Sequence, residues 1–240
     1  MGARSPVIMG ILNLTPDSFS DGGQFDSVQS AVQAATAMVA HGAQIIDVGG
    51  ESTRPGAERI SLEVELERVI PAIEQLSLKG IYVSIDTMRA EVAKAAVDAG
   101  AQMVNDVSGG LSDPHMLTTV ARLGVPIVLM HWRGPSKTMQ ENIHYANPVT
   151  EVCAELHSVA KAAQLAGIKS GNIILDPGIG FGKEAVHNWK LLRNVDTLLA
   201  LGYPILIGVS RKRFLGGLLA ASDGTPRTVG ERDTASAVLA

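Results

Sequence analysis

Two carboxylates in this sequence directly follow short apolar runs: Asp86 in Val-Ser-Ile-Asp-Thr-Met-Arg and Asp176 in Ile-Leu-Asp-Pro-Gly-Ile-Gly-Phe-Gly-Lys. Between them stands a carboxamide, Asn105, in Val-Asn-Asp-Val-Ser-Gly-Gly. A carboxylate accepts two parallel hydrogen bonds from an amidine-like group, and an amide reads a neighbouring donor–acceptor pair. Converging in a partly dry pocket, these three side chains suit a ligand edge rich in N–H donors. An Asp at a strand end also serves as a helix N-cap, a reading that suits Asp106 or Asp113 well.

Three further segments carry polar chemistry. Asn13-Leu-Thr-Pro-Asp-Ser-Phe-Ser-Asp-Gly-Gly reads first as a surface connection rich in turn residues, although Asn13 offers an amide oxygen to a hard cation. In Asp47-Val-Gly-Gly-Glu-Ser-Thr-Arg-Pro-Gly, two glycines let the backbone approach a ligand, and Thr53 and Arg54 supply a hydroxyl and a guanidinium fork for an anion. Ser210-Arg-Lys-Arg-Phe crowds cations at a helix start. Positive charge there opposes the helix dipole, so a counter-anion is a sensible reason for it, with a solvated helix start as the alternative.

Two tempting patterns fail. Gly178-Ile-Gly-Phe-Gly-Lys-Glu is one residue short between its glycines for a phosphate loop, has no Ser or Thr after Lys183, and lacks the third Gly of a dinucleotide fingerprint. His41, His115, His144, His157 and His187 show no metal-ligand spacing, whereas His131, beside Trp132 at a strand end, is placed at the mouth of the site. Cys153 has no evident partner.

The elements that position these residues alternate. Strands are predicted at 7–12, 44–48, 81–85, 102–104, 127–130, 172–175 and 205–208, rich in Ile, Val and Leu without clean alternation, as in parallel strands buried on both faces. Ala-rich helices are predicted at 27–41, 62–78, 90–99, 114–123, 148–166, 187–200 and 213–220. Several end at a Gly (Gly42, Gly80, Gly100, Gly124, Gly167, Gly202), the residue favoured just past a helix end. The pattern fits either a doubly wound sheet or a (β/α)8 barrel. Asn13, Asp47, Asp86, Asn105, His131, Asp176 and Ser210 each sit at or just past a strand end. In a barrel those ends form one ring, where active sites of that fold are built, and this favours the TIM barrel. The expected architecture is therefore α/β, a single barrel domain over 1–240, with an eighth βα unit absent from the chain.

Composition excludes several classes. The 240 residues carry 20 Lys+Arg against 24 Asp+Glu, a net charge of −4, which argues against an electrostatically driven nucleic-acid binder. Hydrophobic residues make up 46% and charged ones 18%, ample for a core and too apolar for disorder. One Cys rules out an intrachain disulfide framework. No secretory leader, membrane span or myristoylation start is read, so a cytoplasmic protein without membrane or nucleic-acid partners is expected.

Taken together, Asn13-Leu-Thr-Pro-Asp-Ser-Phe-Ser-Asp-Gly-Gly, Gly49-Gly-Glu-Ser-Thr-Arg-Pro-Gly, Ser84-Ile-Asp-Thr, Asn105-Asp-Val-Ser-Gly-Gly, Asp176-Pro-Gly-Ile-Gly-Phe-Gly-Lys and Ser210-Arg-Lys-Arg-Phe resemble dihydropteroate synthase of the bacterial folate pathway, with Met130-His-Trp similar to actinobacterial members. The six blocks run collinearly from about Ile8 to the last residue. The resemblance implies a TIM barrel that joins 6-hydroxymethyl-7,8-dihydropterin diphosphate to p-aminobenzoate, with Mg2+ as cofactor, sulfonamide sensitivity and a homodimer.

It also implies roles. Asp176 pairs with the pterin 2-amino and N3 groups, Asp86 and Asn105 read the remaining pterin edges, and Lys212 lies near the pterin carbonyl and N5. Met130 and Phe181 are further substrate-binding positions. Asn13 is associated with Mg2+ at the diphosphate. Phe19 and Asp21 belong to a first mobile loop and Thr53, Arg54 and Pro55 to a second. Ser210, Arg211 and Arg213 lie near the p-aminobenzoate pocket. The implied mechanism is SN1-like, with diphosphate leaving first and Asp86 stabilising the pterin cation.

The family's Arg-x-His on strand eight has no match here. Arg227 and Arg232, read in a loop and at a helix start, are not substitutes, and roughly 30 further residues are expected beyond the chain's end. The alternatives that remain are a non-catalytic pterin-binding paralogue and a pterin-dependent methyltransferase-type barrel. The anion machinery of Arg54, Lys212 and Arg213 separates the latter from the synthase.

Overall fold

The structure is a computed structural model and describes residues 6–15, 24–52, 57–135 and 143–239, with the side chains of 24–27 excepted. Its centre is a parallel sheet in the order β1-β2-β3-β4-β5-β6, every strand beside its sequence neighbour. The strands are β1 (Met9–Asn13), β2 (Ile45–Gly49), β3 (Val83–Asp86), β4 (Met103–Asp106), β5 (Ile127–Met130) and β6 (Ile173–Asp176). The helices are α1 (Gln24–Ala40), α2 (Leu62–Leu78), α3 (Ala90–Asp98), α4 (Met116–Leu123), α5 (Pro148–Leu165), α6 (Ala185–Arg193), α7 (Val195–Leu199), α8 (Arg213–Leu218) and α9 (Asp233–Leu239). Strict sequential order with a helix after each strand is barrel winding, because a doubly wound sheet reverses its order at a switch point.

Side-chain alternation divides the sheet into two faces. Leu12, Ile46, Val48, Val83, Ile85, Val104, Ile127, Leu129, Ile173 and Leu175 are buried against the helices. The opposite parity points inward, and there the register aligns Asn13 with Gly49, Gly49 with Asp86, and Asp86 with Asn105. Met130 aligns with Asp176 in the same way. Of the polar groups expected at the strand ends, Asn13, Asp86, Asn105 and Asp176 are thus placed on the inner face by strand register.

Three expectations need correction. The strand expected at 205–208 is reduced to one parallel bridge, Leu175 to Ile205, with Leu175 N–H donating to Pro204 O and Leu206 N–H to Leu175 O, both at 2.9 Å. Among the described residues that segment has a strand partner on one side only, too little for a ladder. The sheet is accordingly an open arc, and inward-facing Ile11 of β1 is 49% exposed.

The helix expected at 187–200 is two helices. Asn194 departs from helical geometry at φ −119° and ψ 34°, its side-chain amide donating to Lys190 O at 2.8 Å, the local competition with helical bonding that Asn favours. The helix expected from 114 begins at Met116, because Asp113 holds the preceding turn. One Asp113 oxygen accepts from His115 N–H at 2.9 Å and the other from Ala90 N–H at 2.8 Å, so Asp113 serves the start of α3 as well. Among the described residues no helix is long and apolar enough to cross a membrane.

Candidate active site

The carboxyl ends of β2, β3, β4 and β6 bring four of the sequence-picked groups to the inner face. Asn105 donates from Nδ2 to Asp47 Oδ2 at 2.8 Å, and both are buried. Asp47 Oδ1 and Asp86 Oδ1 are enclosed with no hydrogen-bond partner among the described residues, so the corner keeps unused acceptor capacity. Burial pushes the Asp47 carboxyl above the usual carboxylate range, against the Asn105 amide that favours its charged form. Asp86 is pushed up much further, by burial first and then by the negative charges of Asp47, Asp106, Glu65 and Glu51. This corner is built to attract positive charge.

Asp106, expected as a cap, is fully buried and ties its own loop: Oδ1 accepts from Ser108 N–H and Oγ–H at 2.8 and 2.7 Å, and Oδ2 from Gly110 N–H at 2.8 Å. Two further acids near Asp86 are ion-paired. Glu65 accepts from Thr87 Oγ1 at 2.6 Å and pairs with Arg89, which also reaches Glu51 at 3.0 Å.

Across the mouth, Asp176 Oδ1 accepts from Gly178 N–H at 2.7 Å. Burial raises its pKa, with the Gly178 N–H, Lys212 and Lys183 pulling it back. Lys212 Nζ lies 4.0 Å from the centre of the Phe181 ring, and its charge is favoured by Asp176 and Asp86 against the burial that lowers its pKa. Asp86, Asp176 and Lys212 therefore share one electrostatic environment, with Met130 buried beside Asp176 on the neighbouring strand.

The glycines of 178–182 explain why this stretch is not a phosphate loop. Gly178 has φ +67°, and a Cβ there would sit 2.7 Å from His131 O; Gly180 has φ +81°, and a Cβ there would sit 2.9 Å from Lys212 Cδ. They make room for a strand end and for the stem of Lys212. Lys183, dismissed with the motif, is the residue that sequence reasoning missed. Its ammonium is buried and donates to His131 Nδ1 at 3.0 Å, Gly178 O at 3.0 Å and Phe181 O at 3.1 Å. His131, expected at the mouth, instead lies behind it at 2% exposure.

The cationic segment after 208 divides. Lys212 enters the pocket, but Arg211 turns away with φ +52° and makes a two-pronged pair with Asp233, Nε to Oδ1 at 2.6 Å and Nη2 to Oδ2 at 2.9 Å. The counter-anion expected for Arg211 is thus a residue of α9. Ser210 and Arg213 are exposed. Arg232 donates to Arg211 O and Arg227 O, and Arg227 to Leu219 O, so neither is in the mouth. Asn13 ends β1 at the rim, with its Oδ1 near Gly49. The expectations on Phe19, Asp21, Thr53, Arg54 and Pro55 lie outside the described residues.

Parallel strands in barrel winding thus gather two carboxylates and an amide at their carboxyl ends, with Lys212 in the same electrostatic environment. The family model described as pterin binding enzyme matches residues 9–240. The dihydropteroate synthase of Mycobacterium leprae is 52% identical over 237 residues, covering 98% of this chain and 84% of the relative. A Xanthomonas albilineans dihydropteroate synthase solved with 4-aminobenzoic acid superimposes with a TM-score of 0.88 at 43% identity, covering 98% of this chain and 83% of that one. A structure of the Xanthomonas enzyme in complex with 7,8-dihydropteroate gives 0.83 and 41%, with the same coverages. The chain belongs to the pterin binding enzyme family and, within it, to the dihydropteroate synthases.

Proposed function

We propose that the chain, as a dihydropteroate synthase, joins 6-hydroxymethyl-7,8-dihydropterin diphosphate to p-aminobenzoate, releasing diphosphate and giving 7,8-dihydropteroate. The observation that carries this reading is the shared electrostatic environment of Asp86, Asp176 and Lys212, with Asn105 aligned beside Asp86 on the neighbouring strand. The Asp176 carboxylate accepts from the pterin 2-amino and N3–H groups, its orientation fixed by Gly178 N–H. Asn105, held by Asp47, reads the next edge, and Lys212 donates to the pterin carbonyl and N5 side.

The field around Asp86 supplies the transition-state term. Loss of diphosphate leaves a cation on the pterin methylene, delocalised into the ring. A carboxylate enclosed with further acids stabilises that cation without having to reorganise, an effect worth several kcal/mol as an order of magnitude. The aniline nitrogen of p-aminobenzoate then attacks with no strong base. Thr53, Arg54 and Pro55, with Phe19 and Asp21, are assigned to the diphosphate and the second substrate, where excluding water protects the cation; Ser210, Arg211 and Arg213 are assigned to the p-aminobenzoate side. Arg211 is paired with Asp233, whereas Ser210 and Arg213 are exposed.

The donor chemistry fits Mg2+: Asn13 would offer it a hard amide oxygen at the rim, waters and substrate phosphate oxygens supplying the remaining ligands. Among the described residues no cluster of three or more His, Cys, Asp or Glu could hold a metal ion. When bound, the ion offsets negative charge on the leaving diphosphate. A homodimer is the proposed assembly, and the cytoplasm the proposed compartment. The test supplies pterin diphosphate, p-aminobenzoate and Mg2+ and follows diphosphate and dihydropteroate together. Stoichiometric appearance of both is expected. Pterin binding without turnover would instead favour a non-catalytic paralogue, and methyl transfer to a corrinoid the methyltransferase-type barrel.

A further inference from the structure

Behind Asp176, on the side away from the mouth, runs a line of polar groups that the reaction does not use. Lys183 Nζ donates to His131 Nδ1 at 3.0 Å, so the neutral imidazole carries its proton on Nε2 and donates it to Glu155 Oε2 at 2.9 Å. Arg133 pairs with both Glu155 and Glu151 of α5, and its guanidinium lies 3.9 Å from the centre of the Tyr145 ring. Tyr145 in turn donates to Gly182 O at 3.1 Å. Burying an ammonium is costly unless it is fully hydrogen-bonded, and here all three of its protons are used.

We infer that Lys183, seated by His131 and Glu155, is a positioning residue that sets the orientation and charge of the Asp176 carboxylate. The inference rests on the pterin-binding reading of the pocket. Two of the three Lys183 bonds end on the loop that serves the substrate. Gly178 O receives Lys183 while Gly178 N–H holds Asp176 Oδ1, so one residue links ammonium to carboxylate. Phe181 O receives Lys183 while the Phe181 ring supports Lys212. A single buried cation thus fixes both the acceptor and the shelf beneath the opposing donor.

The charge argument follows the same geometry. Asp176 on β6 is faced by two cations, Lys212 from the segment before α8 and Lys183 from the segment before α6. Lys183 is itself faced by Asp176, by Arg133 after β5, by Glu155 on α5, by Lys212 and by His131. Burial drives its pKa down to about 7, that of His131 to about 4, and the His131 hydrogen bond holds Glu155 at about 2. In mildly acidic solution the line is therefore ammonium, neutral imidazole and carboxylate, and the ammonium opposes protonation of Asp176.

The test is calorimetric titration of 6-hydroxymethylpterin into the full chain and into Lys183→Met, from about pH 5 to 8. Losing the cation raises the Asp176 pKa, so the acid limb of pterin affinity moves to higher pH. The expected loss is roughly tenfold near pH 5.5, shrinking to about threefold near pH 8. A loss of the same factor at every pH, or none, overturns the inference. Where Lys183→Met does not fold alone, the double variant Lys183→Met/Asp176→Asn is expected to recover folded chain, since the carboxylate that lost its cation is then neutral while Lys212 keeps Asp86 as a counter-charge. A double variant no better folded than Lys183→Met also overturns it. Absence of pterin binding to the unaltered chain would defeat the functional reading itself, a separate outcome.

Discussion

At the scale of single residues, Asp86 holds a conflict between stability and function. Its carboxyl is pushed well above the usual range by burial and by Asp47, Asp106, Glu65 and Glu51, and one oxygen is enclosed without a hydrogen-bond partner among the described residues. A carboxyl whose folded pKa exceeds its unfolded value favours the folded state below the unfolded pKa and loses that contribution as pH rises through the folded one. At neutral pH, Asp86 is a burden on the apo protein. Asp86→Asn should therefore raise the apo Tm by about 2–4 °C, the equivalent of about 1 kcal/mol at this size, with the gain shrinking toward pH 4. Condensation activity should fall steeply in the same variant. Thermal unfolding across pH, alongside turnover, checks both; a lower Tm at pH 7 would contradict the electrostatic account. Asp86, Asn105 and Asp176 are legible in the sequence because each directly follows an apolar run, and Lys212 because it stands in a cationic cluster at a helix start. Lys183 is not legible, since its partner His131 lies 52 residues away and only the β5–β6 pairing brings them together.

At the scale of elements, periodicity and capping residues locate most of the chain. The strand expected at 127–130 and the helix expected at 62–78 match β5 and α2 at both ends, and Gly124 closes α4 at φ +72° as its position suggests. The failures occur where a local competitor or a missing neighbour decides. Asn194 divides α6 from α7, and the seventh strand shrinks to a bridge for want of a partner on its outer side among the described residues. The start of α5 shows cap chemistry working as the sequence implies, with Asn147 Oδ1 accepting from Val149 N–H at 3.1 Å and Thr150 N–H at 3.3 Å and Pro148 opening the helix. Asn147→Ala should cost about 1 kcal/mol and lower the Tm by about 2–4 °C. Pterin affinity should be unchanged, because the cap lies outside the Lys183–Asp176 line. A fall in affinity measured by calorimetry would place the start of α5 among the elements that position the site.

For the whole molecule, the sheet is what turns scattered sequence positions into a site. Residues 13, 49, 86 and 105 become neighbours because four parallel strands share one register, and 130 and 176 because two more do. Electrostatics follows from that convergence: acids gather on the β2–β4 side and lysines on the β6 side, so a flat neutral ring can be held between a carboxylate-rich wall and an ammonium-bearing one. The most direct test is calorimetric titration of a pterin into the unaltered chain, Asn105→Ala and Asp176→Asn. Saturable one-to-one binding is predicted, with Asp176→Asn weaker by about 1.5–3 kcal/mol, the scale of a charge-assisted hydrogen bond, and Asn105→Ala weaker as well. Full affinity in both variants, despite their place on different strands of the same ring, would contradict the assignment of this pocket.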